Sequence, residues 1–258
     1  MSRLPSLFLS HGSPMMSVED SAARRFLSGL GNSLERPRAI LMALAHWCAA
    51  APTIGGGKTP ETIHDFGGFP RQLYELRYQP PGSAELARRV SGLLAQNGVA
   101  AETDDARGLD RVAWVPLMLM YSDADIPVAQ ISTQPYLGPV HHHALGAALS
   151  NLLDDGVLII DSGNLTHNLA EMRRDEPDGA PNARVAEFTG WVFDALTEGR
   201  LDDLLDYRKR APHAAHNHPS DEHFLPLYTA LGAGGADVER LHQSYSYGAL
   251  AMDAYAFH

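Results

Sequence analysis

One cysteine in 258 residues excludes an internal disulfide framework and the small secreted scaffolds that depend on one. Cys48 reads instead as a small structural residue beside a strand end. Long apolar runs are missing too, since Ala39 to Ala45 with its neighbours falls well short of the roughly 20 residues a membrane span requires. Positive charge is scarce: 20 Lys and Arg stand against 31 Asp and Glu, and the net charge of −11 repels phosphate backbones and anionic lipid surfaces. No nucleic acid and no membrane is expected as a partner. The stretch before His11 is too short, and too interrupted by Pro5, for a leader peptide, so a cytoplasmic protein is expected. Two common hydrolase signatures, G-x-S-x-G and H-E-x-x-H, are absent. Gly57-Lys58-Thr59 has Pro52 where a phosphate loop needs glycine.

What is present is an alternation of short apolar runs with helical spacings, the pattern of an α/β protein. Strands are predicted at Leu7 to Leu9, Ala39 to Ala45, Val128 to Ile131, Val157 to Asp161, Val238 to Leu241 and Ala249 to Tyr255. Helices are predicted at Ala22 to Leu30, Ala84 to Gln96, Pro116 to Met120 with flanks, His142 to Leu153, Arg184 to Leu196 and Glu222 to Leu231. No repeat or linker divides the chain. The expectation is one three-layer α/β domain over residues 1–258, with a central, largely parallel or mixed sheet flanked by helices. The Gly- and Pro-rich stretch from Ala50 to Pro81 is too long for an ordinary connection and reads as functional.

Histidine is abundant, with 13 in the chain, and its placement carries the chemistry. His11 follows the first strand, His46 the second, and His167 follows the strand Val157 to Asp161 through a glycine turn. Ligands collect at that carboxyl edge in open α/β sheets. A helix over Glu222 to Leu231 would turn Glu222 and His223 about 100° apart, so only one would face a metal ion. His223 lies one turn before Leu227 and nearer the apolar face, with Glu222 as the alternative. Imidazoles with an optional carboxylate and no thiolate suit Fe(II) or Zn(II). Zinc would imply water activation and iron oxygen activation, and spacing leaves both open.

The segments Leu9-Ser10-His11-Gly12-Ser13-Pro14, Ala45-His46-Trp47, Thr62-Ile63-His64-Asp65-Phe66-Gly67-Gly68-Phe69-Pro70, Gly163-Asn164-Leu165-Thr166-His167-Asn168 and Glu222-His223-Phe224-Leu225-Pro226-Leu227 run in order along nearly the whole chain. Together they resemble the class III extradiol ring-cleavage dioxygenases, in the branch of 4,5-DOPA dioxygenase type. The resemblance implies an oxidoreductase of aromatic compound metabolism, with one non-haem divalent metal, Fe(II) or Zn(II), a small catecholic substrate and O2. His11, His46 and His223 match metal ligands, and His167 matches a histidine described as ligand or acid/base. His64 is a second acid/base candidate or a loop-ordering residue. Arg111, Trp47 and Ser13 are candidate substrate contacts, and a monomer or homodimer is expected. One position departs from the family pattern: Arg111 stands where the segment Asp-His-Gly-x-Trp carries histidine. Arginine cannot shuttle protons at neutral pH, but it can clamp a carboxylate. The alternatives are therefore a zinc-binding, hydrolase-like protein, or a weakly active metal-binding relative that has lost an acid/base histidine at Arg111.

Overall fold

The computed structural model describes residues 3–177 and 179–258. Its strands are β1 (Ser6–Ser10), β2 (Ala39–Cys48), β3 (Thr53–Gly55), β4 (Glu102–Thr103), β5 (Val128–Thr133), β6 (Val157–Gly163), β7 (Val238–His242), β8 (Tyr245–Ser246), β9 (Leu250–Ala251) and β10 (Ala254–Phe257). The helices are α1 (Ala22–Ser33), α2 (Arg71–Glu75), α3 (Ala84–Gln96), α4 (Arg111–Met120), α5 (Gly138–Leu149), α6 (Asn151–Asp154), α7 (Ala183–Thr197), α8 (Leu201–Leu205), α9 (Tyr207–Arg210), α10 (Ala214–Asn217) and α11 (Leu225–Gly234).

Eight strands form one mixed sheet in the order β4-β3-β5-β2-β6-β1-β10-β7, and β8 and β9 make a separate ribbon. The middle block β5-β2-β6-β1 is parallel, and β10 continues it antiparallel to β1. Strands buried on both faces read as nearly unbroken apolar runs, and β2 and β6 do so because helices cover each side. Met42, Leu44, Leu158 and Ile160 face α1 and α4. Their neighbours Leu41, Ala43 and Ile159 face α3 and α5, and Phe8 packs with α7 and α11. The result is the expected three-layer α/β architecture. At Gly146 of α5 a Cβ would come within 2.0 Å of the Thr229 carbonyl, so glycine lets α5 and α11 pack backbone to backbone.

The helix α3 matches its predicted span because Ser83 accepts the Leu86 amide and closes its first turn. Other boundaries moved. β2 runs on through His46 to Cys48, which is exposed at its end rather than buried. The predicted strand Ala249 to Tyr255 divides into β9 and β10. The stretch from Ala50 to Pro81 contributes β3 as well as loop. No helix among the described residues is long and apolar enough to cross a membrane.

Candidate metal centre

His11 follows β1, His46 lies near the end of β2, and His223 occupies the turn just before α11. In the sheet β6 separates β1 from β2, and the Asn164 amide that follows it donates to the His223 carbonyl at 2.8 Å. The three rings sit with centroids 5.2 to 5.4 Å apart. One nitrogen from each lies within 4.8 Å of the others.

Each ring has its Nδ1 occupied by an acceptor. The Asp65 carboxylate accepts from His46 Nδ1 at 2.5 Å, and the Glu222 carboxylate accepts from His223 Nδ1 at 3.1 Å. His11 Nδ1 lies 3.2 Å from Ser162 Oγ, and the Ser162 hydroxyl spends its only hydrogen on the Val112 carbonyl at 2.6 Å. Ser162 therefore accepts from His11, which assigns the tautomer from the hydrogen-bond network. That leaves the Nε2 atoms: Asn164 Nδ2 lies 3.5 Å from that of His11, and Arg111 Nη2 lies 3.3 Å from that of His46. His223 Nε2 is buried with no hydrogen-bond partner among the described residues. Such an orphan, in a trio of oriented imidazoles, fits a divalent metal held by nitrogen.

Electrostatics agree. Burial first, and then the neighbouring rings, push His11 well below its ordinary range, and burial brings His223 down to about 4, so both are neutral at pH 7. The hydrogen bond from His223 is the main cause that holds Glu222 down to about 2. Burial would raise Asp65, but the bonds from His46 and the Arg111 amide keep it low. Both carboxylates are thus ionised acceptors.

His167 stacks on His223 with ring centroids 3.4 Å apart and planes 10° from parallel, and it forms part of the wall of an adjoining cavity of about 310 Å³. Burial and the neighbouring His223 lower it to about 2. Arg111 and Ser13 line the same cavity. Arg111 Nη1 donates to the Gly12 carbonyl at 3.1 Å, and its Nη2 points at His46 Nε2 across 3.3 Å.

A model of the catalytic LigB subunit of aromatic ring-opening dioxygenases matches residues 5–258. The chain belongs to this family. It is 43% identical over 258 residues to a 4,5-DOPA dioxygenase extradiol of Beta vulgaris, covering 98% of this chain and 96% of the relative. The relative of the same name in Escherichia coli K12 is 39% identical, with 90% of this chain and 85% of that one covered. A crystal structure of an uncharacterized Escherichia coli K12 protein superposes with a TM-score of 0.85 at 31% identity, covering 99% of this chain and 100% of that one.

In this ring-opening dioxygenase the sequence-predicted His11, His46, His223 and His167 come together, and Glu222 stands beside His223 as its acceptor. A second grouping, His167, Glu222 and His223, also brings one ligand atom from each within 4.8 Å. His64 lies elsewhere: its Nε2 meets the Leu76 carbonyl at 3.1 Å, and its ring packs edge-on against Trp114 and Phe66, which suits loop ordering. Trp47 is buried with Arg107 over its ring at 5.5 Å, and it does not line the cavity. The sequence reading passed over Asp65, Ser162 and Arg174. Asp65 sits next to His64 in the same quoted segment, and a carboxylate one residue from a candidate histidine was the available signal.

Proposed function

We propose that this family member cleaves a small catechol in the extradiol manner, breaking a ring carbon–carbon bond beside the two hydroxyls and placing both atoms of O2 in the ring-opened product. His11, His46 and His223 would hold one divalent ion, Fe(II) for this oxygen chemistry, with Glu222 and Asp65 orienting His223 and His46 through Nδ1. The single observation that carries this reading is the convergence of oriented imidazoles on the buried, partnerless Nε2 of His223. Such an ion would supply Lewis acidity and oxygen activation at one place, so that a three-body encounter becomes a local one.

The remaining work falls to side chains. His167 lines the cavity as its only imidazole among the described residues, and its ring, too weak a base at about 2 to keep a proton by itself, would take a phenolic proton only while a catecholate charge lies beside it. The pocket's apolar lining, including Phe69 and the buried Leu250, would pack against the ring face. Arg111 favours a second reading, a metal-holding relative of low turnover, because its guanidinium engages His46 Nε2, the lone pair an ion would use.

The test is oxygen uptake with simultaneous absorbance scans on anaerobically Fe(II)-loaded and Zn(II)-loaded protein, with DOPA, caffeate and protocatechuate. Uptake matched to a coloured ring-opened product with Fe(II), and none with Zn(II), is the expected result. Stoichiometric metal with no uptake on any catechol supports the low-turnover reading instead.

A further inference from the structure

The chain is strongly acidic, yet the cavity beside His167 is not. Among the described residues that line it are Arg111 and Arg174, and no aspartate or glutamate. At two other cavities an arginine is paired with an acid that lines the same space: Arg89 with Asp155 at 3.1 Å, and Arg208 with Asp221. Arg174, by contrast, has no carboxylate partner among the described residues. Arg111 has Asp65 at 3.8 Å from its Nε and feels Asp110 as well, but Asp65 is shared with His46 and Asp110 is paired with Arg107. Two guanidinium groups therefore line one small space to which no described residue adds a carboxylate, and the charge of Arg174 is paired with no described acid. The rest of the lining, including Phe69, Leu169, Met172 and Leu250, is apolar and suited to an aromatic ring.

We infer that Arg111 and Arg174 form an anion subsite, so that this site takes an aromatic carboxylate without a compensating ammonium group in preference to a neutral aromatic or an α-amino acid. The inference deepens the dioxygenase reading and rests on it for the fate of the ring hydroxyls; the charge selection stands on the cavity alone. Guanidinium matches carboxylate in shape and donor number, and it repels an ammonium. An α-amino acid would bring a cation into a space whose described lining offers it no carboxylate. Arg111 is anchored through Nη1 on Gly12 at the inner end, and Arg174 is exposed on the loop after β6. Arg174 thus suits recognition of a carboxylate at the cavity mouth.

Calorimetric titration of the metal-loaded full chain with 3-phenylpropionate, 3-phenylpropan-1-ol and phenylalanine tests this without any ring hydroxyl. We expect 3-phenylpropionate to bind roughly tenfold tighter than either of the others, the value of one charge-assisted contact. Arg174→Gln should shrink that preference severalfold and Arg174→Lys should retain part of it, with thermal melts verifying that both variants fold. Failure of 3-phenylpropionate to bind, equal affinity for all three probes, a preference for phenylalanine, or an Arg174→Gln protein with undiminished preference overturns the inference. Oxygen uptake on the same preparations separates the two readings. Charge preference without ring cleavage counts against the dioxygenase reading alone, and equal kcat/KM for neutral and carboxylated catechols counts against the anion subsite alone.

Discussion

The carbonyl of Val112 accepts the Ser162 hydroxyl at 2.6 Å, and it is free to do so because Pro116, four residues further along α4, has no amide hydrogen to give it. A proline in a helix interior usually leaves a carbonyl wanting. Here the vacancy is filled from β6, and the filling fixes which nitrogen of His11 carries its proton.

Replacing Pro116 with alanine supplies an amide that competes for Val112. Ser162 is then free to donate to His11 Nδ1, which favours the tautomer whose Nε2 is protonated and unable to bind metal. We expect metal affinity to fall roughly tenfold, the low end for loss of an orienting partner, with the helix itself no less stable. Metal titration and ring-nitrogen chemical shifts of His11 report the two halves of the effect. An unchanged tautomer would falsify the relay.

Glu222 orients His223 from a half-buried position. Glu222→Ala should weaken metal binding about 10- to 100-fold, and Glu222→Gln, which can still accept through its carbonyl, should weaken it less. If alanine and glutamine behave alike, the carboxylate acts as a ligand or not at all, and the orienting role is wrong.

Arg111 competes with an ion for His46 Nε2. Even with water-like screening, a guanidinium this close to a dication costs more than about 1 kcal/mol. Arg111→Met should therefore raise metal affinity roughly tenfold, read by competition with a chromogenic chelator. Arg111→His should also raise ring-cleavage turnover by returning a proton-carrying group to the site. Metal affinity that stays level in both variants places the guanidinium elsewhere in solution.

Asp253 is buried, and burial raises it to about 7, with Arg240 only partly offsetting the effect. The unfolded chain releases this proton near pH 4, whereas the folded chain keeps it to about pH 7, so between those values the unfolded state holds fewer protons and stability falls as pH rises. Asp253→Asn removes this contribution. Urea unfolding at pH 5 and pH 8 should show the variant gaining on the wild type at the higher pH, by on the order of 2 kcal/mol. A gap that does not change with pH removes Asp253 from the account.

The sequence made His11 and His46 legible because each ends an unmistakable apolar run, and a parallel sheet delivers such ends to one edge. His223 was reached through a premise the structure corrects. The helix begins at Leu225, so Glu222 and His223 lie in the turn before it, and a hydrogen bond rather than helical phase separates their roles. Asp65 and Ser162 were not legible, since both act from loop or strand positions fixed only by tertiary contact. Arg174 was equally hidden. An arginine that follows Arg173 and precedes Asp175 and Glu176 reads as part of a solvated charged stretch, and only the tertiary structure shows that it lines a cavity to which no described acid contributes.

His11 comes from the first strand of the chain, His46 from the second, and His223 from the turn that leads into the last helix. An ion held by all three would be a cross-link between segments nearly a full chain length apart, closing a loop that the peptide alone must otherwise close at an entropic cost. Loading would therefore report on folding as well as on chemistry. The melting temperature should climb with free metal concentration, and chelation should loosen the junction of β1, β2 and α11 before it touches the flanking helices.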